Sequence, residues 1–325
     1  MTTAVTQPWP PEPDSALVVA PAVEHLLAPN ASSWTYEGTN SYVIAHGRSS
    51  LLIDPGILNQ AHLEALRTAG RAKGRTVSAV LLTHDHPDHS DGARELADSL
   101  DVPIVCMSPR FADEFLADGQ VLSIDGFDVH VIHTPGHSDD SVCLWMPDTG
   151  TLLTGDTLLG ARSSGVMGKL GDLLVSLELL RDLADGREIL ALPGHGPAFT
   201  NVADSAARVI EVRTRRVDEV RGYIAGGDTT LLALIARLYP DLIGSRAMFG
   251  ATTVISTVEY LAALDGDLGI ADPAHRESIL TDVERYQRMM TARAKERAVA
   301  PESGQTRPAH SEPTNSEQTS SEQTG

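Results

Sequence analysis

Residues 79–92 read AVLLTHDHPDHSDG, and no other stretch of the 325-residue chain restricts its fold as much. The apolar run Ala79–Leu82 has the character of a buried strand. It ends at Thr83, and His84, His86, Asp88 and His89 follow within six residues, with Pro87 between them to stiffen the backbone. Asp91 and Gly92 come next, and then ARELADSL, residues 93–100, which predicts a helix. The cluster therefore occupies a loop that leaves a strand and enters a helix. Imidazole and carboxylate suit a divalent cation of borderline softness such as zinc, and also iron or manganese. Histidines at i and i+2 in a tight loop can bite one ion, leaving the next Asp-His pair to face a second point close by.

The same grammar recurs three times. The alternating run Phe127–Ile132 leads to Thr134-Pro135-Gly136-His137-Ser138. Leu152-Leu153-Thr154-Gly155 ends in Asp156, and Ile189–Leu192 ends in Pro193-Gly194-His195-Gly196-Pro197. Each is an apolar strand, a glycine and a ligand-type side chain. Four such endings suggest loops converging at one edge of a sheet system, with the glycines letting backbone approach the site closely. They show no fixed period, so they are not an internal repeat. His130 and His133 lack ligand-type company and read as ordinary strand histidines. Asp54, at the end of the Ser50–Ile53 strand, belongs to an Asp-Pro-Gly turn.

His84-Asp85-His86-Pro87-Asp88-His89 resembles the HxHxDH signature of the metallo-β-lactamase superfamily, and the later motifs match its partners in order over about residues 17–200. The Gly38-Thr39-Asn40 turn and Asp54 also resemble superfamily positions. The resemblance implies an α+β fold, the αββα four-layer sandwich. It implies that His84, His86 and His137 hold one metal, that Asp88, His89 and His195 hold a second, and that Asp156 bridges the two. It makes Asp54 a brace behind the histidine loop, fixing ligand orientation. The implied chemistry is hydrolysis by a hydroxide activated between two divalent ions, zinc first among the candidates, with Asp88 able to take the proton. Asp88 and Asp54 are thus the expected catalytic carboxylates. Zinc β-lactamases place cysteine or serine where this chain has Asp156, which disfavours that activity. Glyoxalase II ends its motif set in Gly-His-Glu-Tyr, where this chain has Gly194-His195-Gly196-Pro197. No GxSxG elbow offers a serine nucleophile.

The remaining chain divides as follows. Residues 1–15 are Pro-rich and expected to be flexible, and 16–203 form the catalytic domain. Within it, helices are expected over 61–69, 109–117 and 174–183, the last with Leu177, Leu180 and Leu183 on its core face. The Gly-rich stretch 157–175 either lines the substrate site or is a plain surface connection. From 204 to 272 the character is helical, with Val209, Ile210, Val217, Val220 and Ile224 at helix spacing. Further helices are expected over 229–239 and 252–264. This part resembles the small winged-helix-like C-terminal domain of the β-lactamase-like protein 2 branch, which includes a single-strand endoribonuclease and polyketide-releasing thioesterases. Arg208, Arg213, Arg215, Arg216 and Arg221 cluster on the first of these helices. They are either a contact for an anionic substrate or, as we favour, a solvated face paired with Glu211, Asp218 and Glu219. Residues 273–300 read as one charged helix, and 301–325, rich in Ser, Glu, Thr and Gln, as disordered.

The net charge is −19, of which the last 25 residues contribute −3, so the folded part is itself acidic. That argues against a general nucleic-acid or anionic-membrane surface. Cys106 and Cys143 are the only cysteines and make no disulfide framework. With no secretory signal and no membrane-length run, we expect a reduced, cytoplasmic protein. The expected substrate is a small acyl thioester or ester, with single-stranded RNA as the alternative. A non-hydrolytic metal or redox scaffold is the reading from another class. It is opposed by the full histidine set and by the lack of a flavin-binding domain such as flavodiiron proteins carry. Oligomeric state is not readable from these features.

Overall fold

The computed structural model describes residues 9–227, 230–240, 245–265, 268 and 273–299. The chain groups into two compact units, residues 1–283 and 284–325. Both sheets and every functional side chain belong to the first. Of the second, only the helical residues to 299 are described.

The first sheet is built from β1 (Leu17–Ala20), β2 (Val23–Leu27), β3 (Asn40–His46), β4 (Ser49–Ile53), β5 (Thr76–Leu81), β6 (Ile104–Cys106) and β7 (Glu114–Phe115), in that spatial order. The first three pairings are antiparallel and the last three parallel. Helices α1 (Gln60–Arg71), α2 (Pro87–Ser90) and α3 (Ala93–Leu100) lie between these strands in sequence. The second sheet runs β12 (Leu190–Pro193), β11 (Thr151–Gly155), β10 (Val142–Met146), β9 (Phe127–His133) and β8 (Val121–Ile124). After α4 (Leu170–Ala184), the regular elements described beyond β12 are helices: α5 (Val202–Ala225), α6 (Leu231–Leu238), α7 (Ser245–Asp265) and α8 (Pro273–Val299). None of the described helices is long and apolar enough to cross a membrane.

The strand alternation explains the layering. In β3, Tyr42 and Ile44 turn inward to a core shared with Leu81, Val129, Val131, Leu144, Leu153 and Leu192 of the two sheets. Val43 and Ala45, on the opposite face, pack with Leu63 and Leu66 of α1 and Leu96 of α3. A strand covered on both faces reads as a continuous apolar run, which is why Ala79–Leu82 could be recognised. On the far side of the second sheet, Ser176 of α4 donates to the Pro135 carbonyl at 2.8 Å. A Cβ on Gly136 would overlap the Leu173 backbone, so only glycine lets this strand end meet α4. Helix, sheet, sheet and helix make the expected four layers.

Four expectations need correction or limits. No helix spans 109–117. The Asp113 carboxylate accepts the Ile104 N–H at 2.9 Å and is gripped by both Arg94 amino groups at 3.0 Å. The Leu116 N–H then donates to the Cys106 carbonyl at 3.0 Å, so these residues extend the sheet as β7. On α4, Leu177 and Leu180 are buried as expected, but Leu183 is only half-buried and Leu173 takes its place in the core. Of residues 1–15, the first eight lie outside the described residues. Asp14 is held by its N–H to the Leu27 carbonyl at 3.2 Å and by His62 Nδ1 at 2.7 Å. The tail 301–325 also lies outside the described residues.

Candidate metal centre

Parallel pairing brings the strand ends together. Ile53 lies beside Leu81, so Asp54 emerges next to Thr83. Gly155 lies beside Pro193, and the Gly194 N–H donates to the Gly155 carbonyl at 2.8 Å, so Asp156 and His195 leave the second sheet side by side. The Val142 N–H donates across the sandwich to the Thr83 carbonyl at 2.8 Å, pinning the two sheets at this edge. A Cβ on Gly155 would press on the Thr83 side chain at 2.9 Å.

All seven ligand-type residues meet here. His86 Nδ1 lies 3.0 Å from His84 Nε2 and 2.9 Å from His137 Nε2. His195 Nε2 lies 3.3 Å from His89 Nε2, 3.1 Å from an Asp88 oxygen and 3.4 Å from an Asp156 oxygen. Asp156 stands between the groups, with one oxygen 3.6 Å from His89 Nε2 and the other 3.7 Å from His137 Nε2. Three sets of potential ligand atoms each fall within 4.8 Å: His84, His86 and His137; His84, His89 and Asp156; Asp88, His89 and His195. His130 and His133 remain on β9, outside these sets.

Hydrogen bonds fix which ring nitrogen faces inward. The carbonyls of Gly38 and Gly165 can only accept, so His195 and His137 carry their hydrogens on Nδ1, at 3.0 Å from each. Asp54 takes the His89 Nδ1 hydrogen at 2.9 Å. It also accepts the Thr83 N–H at 2.7 Å and the Thr83 hydroxyl at 2.6 Å. With that hydroxyl hydrogen committed, Thr83 Oγ1 can only accept from His84 Nδ1, 3.1 Å away. The Nε2 atoms of His84, His89, His137 and His195 are thereby all turned to the interior. Asp54 holds a left-handed backbone (φ 49°), a conformation aspartate tolerates better than most residues.

This donor set fits divalent cations. Four inward imidazole nitrogens, His86 Nδ1 and the Asp88 and Asp156 carboxylates crowd within metal-ligand reach of one another. Asp156 Oδ1 is buried with no hydrogen-bond partner. Nitrogens held about 2.0–2.1 Å from a tetrahedral zinc stand about 3.3 Å apart, close to the spacing found here.

Burial and neighbouring charge divide the histidines. Desolvation, reinforced by the surrounding imidazoles, pushes His84 far below its ordinary value and His137 down to about 4, and His86 is also lowered by burial. Burial works the same way on His89, but Asp88, Asp54 and Asp156 outweigh it and raise it to about 8. His195 is likewise lifted, against burial, by Asp156 and Asp88. Burial alone would raise Asp88, yet His89 and the His195 hydrogen bond hold it at about 2.

Several residues that position the site were not singled out from the sequence for that part. Asn40 donates to the carbonyls of Pro193 and Gly196, each at 2.8 Å. At the rim, Arg162 forms a bidentate pair with Glu37 at 2.5 and 2.6 Å, and its guanidinium carbon lies 4.3 Å over the Tyr36 ring. That ring is 6.5 Å from His195. The Gly-rich stretch after Asp156 therefore borders the site, since its Gly165 carbonyl orients His137. The arginine cluster splits. Arg215, Arg216 and Arg221 pair with Glu211, Glu219 and Asp218, the solvated face we favoured. Arg213 departs from it: the side chain is buried and points to Ser163 and Ser164.

The description "metallo-beta-lactamase superfamily" belongs to the family model that matches residues 34–195. A beta-lactamase-like protein 2 homolog from Caenorhabditis elegans is 31% identical over 210 residues, 61% of this chain and 70% of that one. An atrochrysone carboxyl ACP thioesterase from Passalora fulva is 29% identical over 272 residues, 80% of each chain. In fold, the chain resembles a solved beta-lactamase domain protein from Burkholderia ambifaria, with a TM-score of 0.70 at 22% identity over 82% of this chain and 92% of that one. The chain belongs to the metallo-beta-lactamase superfamily and is a hydrolase within it.

Proposed function

We propose that the chain hydrolyses acyl thioesters, using two divalent metal ions, most readily zinc. The observation that carries this reading is the cage of inward imidazole nitrogens and carboxylates around Asp156 Oδ1, which has no hydrogen-bond partner. His84, His86 and His137 would hold one ion, Asp88, His89 and His195 the other, with Asp156 between them. Bound there, such ions would supply a water deprotonated at neutral pH and polarise the acyl carbonyl. Asp88 is ionised at that pH, and its side chain is 29% exposed against 9% for Asp156. It can therefore take a proton from the attacking water. Asp54, almost fully enclosed, touches no reacting atom and acts by aiming His84 and His89.

The thioester assignment is supported by the thioesterase named among the relatives and by the acidic chain. Single-stranded RNA is less well supported, because three of the five arginines are in ion pairs and a fourth is buried. The division into a catalytic domain (16–203) and a winged-helix-like domain (204–272) belongs to this proposal, as does a reduced cytoplasmic setting suited to the buried free thiols of Cys106 and Cys143. The test offers the zinc-loaded protein acyl-coenzyme A, an acylated carrier protein, a lactone and an unstructured RNA. Thiol release with intact RNA is expected. RNA cleavage without thioester turnover would replace this reading, and turnover of nothing would return the chain to a metal-binding scaffold.

A further inference from the structure

The stretch between β11 and α4 carries Gly160, Gly165 and Gly168, and such a sequence does not hold a fixed path by itself. Its far end is tied down by the N–H groups of Met167 and Gly168, which donate to the His137 carbonyl at 2.9 and 3.2 Å. Nearer β11 it is held by the Arg162–Glu37 pair, by the Tyr36 hydroxyl, which donates to the Ser163 carbonyl at 3.2 Å, and by side chains of α5. Arg208 donates to the Gly160 carbonyl at 2.8 Å. Arg213 Nη2 donates to the Ser164 carbonyl at 2.6 Å and lies 3.1 Å from Ser163 Oγ. Arg213 is only 6% exposed, and no described carboxylate forms an ion pair with it. Burying a guanidinium without a counter-ion is costly, so the site is arranged around these two contacts. The residue after Ser164 is Gly165, whose carbonyl accepts the Nδ1 hydrogen of His137 at 3.0 Å.

We propose that Arg213 is a positioning residue for the metal centre: from α5 it fixes the Ser164–Gly165 backbone, and through the Gly165 carbonyl it sets the tautomer and aim of His137. The polar partner of a ligating histidine is worth roughly 10–100-fold in metal affinity, and Arg213 acts one step further out. This inference rests on the proposed metal reading.

The experiment titrates cobalt(II) into metal-free full-length protein against a competing chelator and follows the visible absorption of the bound ion. The variants are Arg213→Ala, Arg213→Lys, which keeps the charge but loses the fork, and Val220→Ala, a fully buried position on the same helix. In Arg213→Ala, one of the two ions should bind roughly 5–10-fold more weakly with an altered spectrum, the other nearly unchanged. Arg213→Lys should fall between. Val220→Ala should lower the melting temperature and leave both affinities alone. If the arginine variants lose melting temperature but keep both affinities and the spectrum, the inference is overturned and Arg213 is a strut. Should Arg213→Ala not fold, unchanged binding by Arg213→Lys overturns it equally. Wild-type protein that takes up no cobalt overturns the metal reading itself, an outcome separate from any difference between variants.

Discussion

Asn40 binds both sides of the turn that presents His195. Its side-chain amide donates to the carbonyls of Pro193 and Gly196, its backbone N–H donates to the Gly194 carbonyl at 2.8 Å, and its Oδ1 accepts from His25 Nε2 at 2.8 Å. One residue at the start of β3 thus carries the first sheet's position across to a ligand of the second. Replacing it with alanine strands the buried Gly196 carbonyl and the His25 ring at once, while the Pro193 carbonyl keeps the Tyr42 hydroxyl at 2.7 Å. Unmet buried polar groups cost about 1–3 kcal/mol each, so Asn40→Ala should lose about 2–4 kcal/mol in urea unfolding. It should also weaken the ion held by Asp88, His89 and His195, as read by equilibrium dialysis. Stability unchanged within about 0.5 kcal/mol would show that the amide network contributes little.

Gly194 predicts a sharper outcome. A Cβ there would overlap Asp156 Oδ1 and sit 2.8 Å from His89 Cε1. Neither neighbour is the free end of a flexible chain. Gly194→Ala should therefore displace the carboxylate between the two ligand groups. A misplacement near 1 Å costs about 100-fold in rate, and a loss of that size in the proposed thioester hydrolysis is the expectation. Metal analysis should find fewer than two ions per chain, while circular dichroism stays that of the folded protein. Full occupancy with undiminished turnover would mean the site relaxes around the methyl group.

Asp54→Asn separates aiming from folding. The carboxylate accepts three hydrogens, from the Thr83 N–H, the Thr83 hydroxyl and His89 Nδ1. An amide keeps the shape but turns one acceptor into a donor, pointed at groups that must donate. The His84 and His89 tautomers then lose their guide. Chelator competition should show metal affinity falling by about 10–100-fold. Affinity equal to wild type would remove Asp54 from the positioning of these histidines.

Much of this site could be read in the chain because its ligands follow strands buried on both faces. Ala79–Leu82 and Ile189–Leu192 are continuous apolar runs, and a glycine or polar cluster marks where each stops. What was not legible depended on distant partners. PRFADEFLA, residues 109–117, has local helical character, but Asp113 is captured by Arg94 and by the Ile104 N–H, and the chain pairs with β6 instead. The four-residue strand β8 carries too little pattern to stand out. Arg213 looked like its neighbours because pairs such as Glu211 with Arg215 are visible at helix spacing. Its own acceptor, the Ser164 carbonyl, lies 49 residues away.

The two ligand groups should differ in their proton traffic. Burial keeps His84, His86 and His137 below their ordinary values, so at pH 7 they are neutral and ready to bind. His89, raised to about 8, and His195, raised further by Asp156 and Asp88, hold protons at that pH in the metal-free protein. A cation must displace those protons before it can use the same lone pairs. The sign follows: lowering the pH from 8 to 6 should leave the affinity of the three-histidine group nearly unchanged and weaken the Asp88–His89–His195 group. Calorimetric titration at pH 7 in buffers of different ionisation enthalpy should give about zero protons released for the first ion and about two for the second. Equal release from both steps would mean that the carboxylates do not distinguish the two halves of the centre.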